Sequence, residues 1–170
     1  RCYSMSNFIT RFADVVKIPE PTLVPANLNE VAEGCARFME GMCNDHQVTL
    51  RVECSPEVGM VNLDPALFEQ VVVNIIKNAV ESIASSETLP AGQGLVVVRT
   101  LAPATLEVED NGPGISKETE SKLFSPFFST KPNGQGIGLI FIREVLSRHK
   151  CTFSLRTYND GLTRFRISFV

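Results

Sequence analysis

The 170-residue sequence predicts an α+β fold of two layers, with helices on one face of a mostly antiparallel sheet. A long amphipathic helix is expected over residues 66–83, where apolar side chains recur at helical spacing. Two pairs of strands are expected after it, each joined by a short turn, which is typical of antiparallel hairpins. The predicted helices segregate from this mostly antiparallel sheet, which is typical of the α+β class.

The predicted central helix has a well-marked start and an unusual polar face. Asp64 followed by Pro65 is typical of an N-cap with proline in the first helical turn. Asn74 and Asn78 lie one turn apart on the face opposite the apolar one. Asparagine is a poor helix former because its side chain competes for backbone hydrogen bonds. The pair therefore indicates a polar contact, although for this helix alone a solvated face is the simpler interpretation.

The chain before this helix is expected to begin with the end of a longer helix over residues 1–18. Three prolines then break that helix and form a stiff, extended connector. Asn27, with Glu30 three residues later, resembles a capping box. The elements that follow are a helix over about 28–43 and strands over about 48–54 and 59–63. The apolar stripe of that helix is predicted to hold Val31, Cys35, Phe38 and Met42.

The chain after the central helix is predicted to contain two hairpins, two helices and one mobile loop. Pro103 lies in the turn of the first hairpin, and Asn159-Asp160-Gly161 forms the turn of the second. Ser116 is expected to cap a short helix that runs to about Phe124. The remaining elements are strands over 95–101 and 105–110, a loop over 125–136, a helix over about 138–149, and strands over 151–157 and 162–169.

Composition excludes several classes of function. A net charge of -3 does not favour nucleic-acid binding, which usually requires a concentrated basic surface. No apolar run approaches the length needed to span a bilayer. The five cysteines are scattered and form no C-x-x-C pair, which favours reduced thiols in a cytoplasmic protein over disulfides or a zinc site.

Asp110 is the first candidate for chemistry. Leu106, Val108 and Asp110 share one face of the predicted strand, so the carboxylate is expected to point inward. A buried carboxylate is costly unless a donor compensates it. The Asn-Gly-Pro-Gly that follows either turns a hairpin or lets the backbone approach a ligand closely. Because a helical pattern, and not a returning strand, begins near Ile115, we favour the ligand interpretation.

A second glycine cluster, Gly134-Gln135-Gly136-Ile137-Gly138, opens directly onto a predicted helix. Free backbone N–H groups at a helix N-terminus can bind an anion such as phosphate. The spacing fits neither the dinucleotide-binding nor the P-loop pattern. Alone, this cluster is more often a flexible connector than a phosphate site.

Four motifs in order resemble the ATP-binding domain of sensor histidine kinases, within the GHKL superfamily. They are NIIKNA, DNGPGI, FSPFFSTK and GQGIGL, which match the N box, the first glycine box, the F box and the second glycine box of that family. The resemblance covers roughly residues 25–170 and is greatest to kinases of the nitrogen-regulation type. It implies the two-layer α/β sandwich of the superfamily, the Bergerat-type ATP-binding fold, with a mixed sheet.

The resemblance also implies roles for individual residues. Asn74 matches a ligand of Mg²⁺, Asn78 assists at the phosphates, and Lys77 either neutralises phosphate charge or is simply solvated. Asp110 matches the acceptor of a hydrogen bond from the adenine amine, which supplies the missing donor. The remaining implied nucleotide-binding residues are Gly112, Gly114, Ile115, Phe128, Lys131, Gly134, Gln135, Gly136, Ile137, Gly138 and Leu139. The F-box phenylalanines Phe124, Phe127 and Phe128 have simple packing as an alternative role.

Two departures of this sequence from the motifs of the superfamily narrow the expected function. Where hydrolysing members of the superfamily carry a catalytic glutamate, this chain has Gln70, which cannot act as a base. Neither His46 nor His149 lies in a phosphoacceptor motif; His46 is expected in a loop, and His149 beside a helix dipole. The resemblance therefore implies the end of a dimerisation helix and a linker over residues 1–26, and a catalytic domain over 27–170.

The implied partners are ATP, a histidine-containing dimerisation domain outside this chain and a response regulator. The domain is expected in the cytoplasm. Its parent protein is expected to be a homodimer, with or without a membrane anchor. A hydrolysing ATPase and a non-catalytic nucleotide-binding regulatory module are the alternative functions.

Overall fold

Seven strands and four helices make up the part of the chain that the computed structural model describes, residues 19–124 and 137–169. The helices are α1 (Leu28–Asp45), α2 (Pro65–Ala84), α3 (Lys117–Glu120) and α4 (Ile137–Arg148). The strands are β1 (Val24–Asn27), β2 (Val48–Glu53), β3 (Met60–Leu63), β4 (Gly94–Leu101), β5 (Thr105–Asp110), β6 (Thr152–Thr157) and β7 (Thr163–Ser168). None of the described helices is long and apolar enough to cross a bilayer.

Five strands form the main sheet in the order β2-β4-β5-β7-β6. β2 runs parallel to β4, and the other neighbouring strands are antiparallel. Helices α1, α2 and α4 pack against this sheet, and their buried side chains form one core with it. The predicted α+β fold, with helices on one face of a mixed, mostly antiparallel sheet, is therefore confirmed.

Helix α2 is the central element of that core. Its buried face consists of Phe68, Val71, Val72, Ile75, Ile76, Ala79, Val80 and Ile83. The predicted N-cap is confirmed, because the Asp64 carboxylate accepts a hydrogen bond from the Leu67 N–H at 3.1 Å and Pro65 occupies the first turn. The N-cap of α1 is confirmed as well, since the Asn27 side chain accepts from the amides of Asn29 and Glu30.

The predicted stripe of α1 was wrong at one position. Phe38 is 75% exposed, whereas Met39 and Cys43 are buried. The buried face is rotated by about one residue relative to the prediction, because the helix lies between α2 and β2 and buries the small side chains Ala32 and Ala36 there. Sequence spacing alone does not determine which of two adjacent apolar residues faces the core.

Two other boundaries differ from the prediction. Part of the proline-rich connector forms strand β1, which pairs antiparallel with β3. Pro25 is tolerated there because this strand lies at the edge of a two-stranded sheet. Helix α3 begins after its predicted cap, Ser116, but ends at Glu120 and does not reach Phe124. The predicted segments over 1–18 and 125–136 lie outside the described residues.

Strand β5 is buried on both faces. Leu106, Val108 and Asp110 face the helices, whereas Glu107 and Glu109 face the opposite side and are nevertheless buried. Arginines from neighbouring strands cover these two glutamates: the Glu107 carboxylate accepts hydrogen bonds from Arg99 and Arg166, and the Glu109 carboxylate accepts them from Arg99 and Arg164. This charged layer replaces a second layer of helices on the outer face of the sheet.

Replacing Glu107 by glutamine should lower the free energy of unfolding by about 1–3 kcal/mol, because charge-assisted bonds to two arginines are lost in a buried site. Glu53→Gln is the matched control. Glu53 contacts the same Arg99, but its side chain is 46% exposed against 2% for Glu107, so its loss should cost less than about 0.5 kcal/mol. Urea denaturation measures both changes, and equal losses would contradict this account of the layer.

Candidate functional site

A pocket lies between helix α2 and the inner face of the sheet. The loop after β5 and the first turn of α4 close two of its sides. Its lining residues are Ile75, Asn78, Ala79, Ser82, Val108, Asp110, Ile115, Leu139, Leu155, Thr163 and Phe165. Most of these side chains are apolar, and a few polar groups converge at one end, which is typical of a small-molecule site.

Asp110 is the residue of the pocket lining whose pKa is shifted from its ordinary value. It ends strand β5 and is only 7% exposed. Burial raises its pKa to about 6, and the charge of Glu109 adds to that rise, while a hydrogen bond from the Gly112 N–H at 2.9 Å opposes it. Among the described residues no other group donates to this carboxylate. It is therefore a buried acceptor whose second oxygen can receive an N–H from a ligand.

Two threonines stand beside Asp110. Thr163 pairs with Asp110 across β5 and β7 and is buried. Its hydroxyl lies 2.8 Å from that of Thr157, which also accepts a hydrogen bond from the Ile115 N–H at 2.7 Å. The two hydroxyls share one hydrogen bond, so one hydroxyl proton remains for another acceptor. When Thr157 is the donor of that bond, the Thr163 hydroxyl gives the pocket a donor next to a carboxylate acceptor.

The glycines after Asp110 allow a close approach of the backbone. A Cβ at Gly112 would lie 2.8 Å from the Ser82 hydroxyl and 3.3 Å from the backbone nitrogen of Ile83. Gly114 has a φ of +86°, which L-residues rarely adopt. The segment therefore passes tightly against α2 and does not form a hairpin. Asn111 has a structural role, since its side chain bonds the backbone of Gln93 and Leu95.

The predicted polar residues of α2 are spread around one side of the helix. Asn78 lines the pocket, and Asn74 lies half-buried one turn before it. Lys77 and Gln70 are exposed. The structure thus brings Asn78 together with Asp110, Ile115 and Leu139 in one pocket, whereas Lys77 points away from its lining.

Helix α4 begins within the second glycine cluster, with Ile137 and Gly138 as its first residues. The predicted site residues Phe128, Lys131, Gly134, Gln135 and Gly136 lie outside the described residues, as does Phe127. Phe124, just before that segment, packs edge-to-face on Phe153 and Phe165. Its carbonyl accepts a hydrogen bond from Arg143 of α4 at 3.1 Å, so packing is its observed role.

His149 has contacts beyond its predicted place beside a helix dipole. It is buried, its Nδ1 lies 2.8 Å from the Val145 carbonyl, and its Nε2 accepts a hydrogen bond from the Asp64 N–H at 3.0 Å. With Nε2 accepting, Nδ1 is the nitrogen that donates to the Val145 carbonyl. Besides its place at the end of α4, the ring thus forms a hydrogen-bonded junction with the start of α2. His46 is exposed and caps the end of α1, as its loop position predicted.

Seven of the eleven lining residues were not predicted as site residues: Ile75, Ala79, Ser82, Val108, Leu155, Thr163 and Phe165. Thr163 and Leu155 come from strands that carry no motif, whereas Ser82 follows the motif on α2. Thr163 could have been found, because the strand alternation that turns Asp110 inward also turns its cross-strand partner inward. Ser82 lies one helical turn after Asn78, on the same side of α2.

A family model described as histidine kinase-, DNA gyrase B-, and HSP90-like ATPase matches residues 63–170. The C4-dicarboxylate transport sensor protein DctS of Rhodobacter capsulatus is 34% identical over 160 residues, which cover 94% of this chain and 24% of that protein. The sensory histidine kinase/phosphatase NtrB of the same species is 29% identical over 164 residues, covering 87% of this chain and 44% of that protein. The chain thus spans about a quarter to under half of the length of these curated relatives.

Among solved structures, the catalytic domain of histidine kinase ThkA superposes with a TM-score of 0.72 at 24% identity, covering 87% of this chain and 95% of that one. This likeness shows a common fold, and the family model, which matches more than half of the chain, shows the family. The chain belongs to the family of histidine kinase-, DNA gyrase B- and HSP90-like ATPases, as an ATP-binding catalytic domain of the sensor histidine kinase type.

Proposed function

We propose that this domain binds ATP together with Mg²⁺ and delivers the γ-phosphoryl group to a histidine on a dimerisation domain outside the chain. The observation that supports this proposal best is Asp110, a buried carboxylate with one compensating donor among the described residues, at the end of an apolar pocket. Such a group is costly in the free protein, and a ligand N–H removes much of that cost. The exocyclic amine of adenine is a donor of the required kind.

In this proposal Asp110 selects adenine over guanine, because guanine presents a carbonyl where adenine presents an amine. Thr163 donates to a ring nitrogen, directly or through water, and Gly112 and Gly114 let the base approach the backbone. Ile115 and Leu139 pack on the base. The phosphates extend along α2 toward Asn78 and Asn74 and are wrapped by the segment Gly134–Gly138 and by Lys131.

The residues present fit magnesium better than a tightly ligated metal. No group of three or more His, Cys, Asp or Glu side chains is assembled among the described residues, so a transition-metal site is not indicated there. Mg²⁺ prefers oxygen ligands, keeps several waters and is commonly held through phosphates. Asn74 would supply an amide oxygen for that ion, and Asn78 would assist at the phosphates. The chemistry of the ion would be to neutralise charge on the transferred phosphoryl group.

The proposed acceptor of the phosphoryl group is a histidine and not water, because α2 lacks a general base at position 70. Gln70 is neutral and exposed, so it offers no general base for a water molecule. His149 is committed to two hydrogen bonds, and His46 lies at the end of α1. The acceptor is therefore proposed to be a histidine of the parent protein, which we expect to be a homodimer in the cytoplasm or anchored to the membrane. A response regulator would receive the phosphoryl group next.

The rival functions differ in what they require. A hydrolysing ATPase of the same superfamily needs a base near the γ-phosphate, which α2 does not offer at position 70. A non-catalytic regulatory module needs only the base pocket, and it would bind ATP without phosphorylating any dimerisation domain. The same proposal includes three further points. The parent kinase is of the nitrogen-regulation type, the site residues have the roles known in that group, and the catalytic domain begins after residue 26.

Asp110→Asn should weaken ATP binding by about 1–3 kcal/mol, because the Asn oxygen still accepts from Gly112 while its amide faces the adenine amine donor to donor. The same variant should raise the free energy of unfolding at pH 7 by up to about 3 kcal/mol, since it removes a carboxylate whose folded pKa of about 6 exceeds its unfolded value near 3.9. Calorimetry and urea denaturation measure the two effects, which have opposite signs.

The pH dependence has a defined sign. Asp110 binds its proton more tightly in the folded state, so it lowers stability above pH 6, and wild-type stability should gain from it as pH falls from 7 to 4. ATP affinity should fall over the same range. Asp160→Asn is the control. A hydrogen-bonded ion pair with Arg164 lowers the pKa of this exposed carboxyl, so Asp160 makes the protein less stable, and not more stable, as pH falls. Because Asp160 lies outside the pocket, its replacement should leave ATP affinity unchanged. Equal affinities of the wild-type chain for ATP and GTP would remove Asp110 from the base pocket.

Asn74→Ala should lower ATP affinity more in buffer that contains Mg²⁺ than in buffer that contains EDTA, since the lost contact is to the ion. A tenfold loss in Mg²⁺ against twofold or less in EDTA is the expected scale, which corresponds to at least about 1 kcal/mol of metal-dependent binding. Glu69→Ala, exposed on the same helix and outside the predicted site, is the matched control. An identical loss for Asn74→Ala in both buffers would exclude the metal contact.

A further inference from the structure

Helices α2 and α4 run in opposite directions between two ends of the domain. At one end, Asn78 of α2 and Leu139 of α4 line the same pocket. At the other end, Asp64 caps the start of α2, and His149 follows the last residue of α4. Each helix spans about 15–20 Å between these ends at 1.5 Å per residue. A small change of angle at the far end therefore changes the width of the pocket.

A hydrogen bond joins the two helices at that far end. The Asp64 N–H donates to Nε2 of His149 at 3.0 Å, and Nδ1 of the same ring lies 2.8 Å from the Val145 carbonyl. The imidazole is buried and packs against Phe68, with ring centroids 5.9 Å apart. Both ring nitrogens are thus used, so this junction of Asp64 and His149 holds the helices in a defined arrangement.

The same aspartate holds the segment that enters the domain, residues 19–23. One carboxylate oxygen of Asp64 caps α2 through Leu67, and the other accepts a hydrogen bond from the Thr22 N–H at 2.9 Å. The amides of Thr22 and Leu67 lower the pKa of this carboxyl, so it stays charged. A second contact, between Glu20 and Arg148 at 3.8 Å, involves a glutamate that is 88% exposed and contributes little.

We propose that docking of residues 19–23 on the junction of Asp64 and His149 is positively coupled to nucleotide binding in the pocket. The inference rests on the proposed function, because it requires ATP as the ligand. A bound nucleotide contacts both helices at the pocket end and so favours one angle between them. The docked segment fixes Asp64 at the other end, and through it His149, in that same arrangement. Two ligands that favour one arrangement strengthen each other's binding by an equal factor.

Two variants separate docking from helix capping. Asp64→Asn keeps an oxygen for the Leu67 amide, but its second atom becomes an N–H donor that faces the Thr22 N–H. Thr22→Pro removes that N–H from an exposed position and leaves Asp64 intact. Both should release the segment without removing the cap of α2. Glu20→Gln is the matched control, since it removes only the exposed ion pair.

The experiment measures ATP·Mg²⁺ affinity of the full chain by calorimetry. Asp64→Asn and Thr22→Pro should each raise the Kd about fivefold or more, the lower end of typical coupling factors, whereas Glu20→Gln should change it less than about twofold. Hydrogen exchange of the Thr22 amide gives the reciprocal readout. Saturating ATP·Mg²⁺ should slow it in the wild-type chain by the same factor.

Each outcome separates the two proposals. A wild-type chain that does not bind ATP overturns the proposed function. A wild-type chain that binds ATP, with unchanged Kd in both variants or unchanged Thr22 exchange, overturns the coupling and leaves the function standing. Loss of affinity in Asp64→Asn but not in Thr22→Pro also overturns the coupling, because the effect then arises from the cap alone.

Discussion

The rest of the structure depends on strand β5 being buried on both faces. On the inner face, Leu106 and Val108 pack beneath the helices, and on the outer face Glu107 is held by Arg99 and Arg166. A strand fixed in this way cannot slip by one residue without exchanging apolar side chains for charged ones. Its register therefore determines that Asp110, the last residue of the strand, ends beneath α2 inside the pocket.

The binding pocket costs the domain stability. Asp110 is buried with little compensation, and Gly112 passes α2 where any Cβ would collide. Both features weaken the free protein and suit a ligand that brings its own N–H donor and a flat ring. The surrounding network offsets this cost: the charged layer stiffens β5 from outside, and the Asp64–His149 hydrogen bond fixes the two helices that flank the pocket. The stabilising interactions thus lie around the pocket, whereas the Asp110 carboxylate inside it lacks a full set of hydrogen-bond donors.

Local signals in the sequence predicted much of this arrangement. Asp64 and Asn27 were found as caps because a cap depends on neighbouring residues only, and Asp110 was found because strand alternation is local. Phe38 was misplaced, since which flank of α1 is buried depends on α2 and β2. Strand β1 and the roles of Thr163 and His149 were missed because their partners, β3, Asp110 and Asp64, are distant in sequence. The sequence pattern did not show which residues distant in sequence contact each other, although it did show local helix, strand and cap preferences.

The central claim is that the domain binds ATP so that its γ-phosphoryl group is transferred to a histidine and not to water. The most direct measurement incubates the chain with γ-labelled ATP and Mg²⁺, alone and mixed with a histidine-bearing dimerisation domain of its parent protein, and follows released phosphate and protein-bound label. The account predicts negligible phosphate release and no self-labelling by the chain alone, and an acid-labile phosphohistidine in the mixture. Sustained phosphate release by the chain alone, abolished by Asn74→Ala, would contradict it and identify a hydrolysing ATPase.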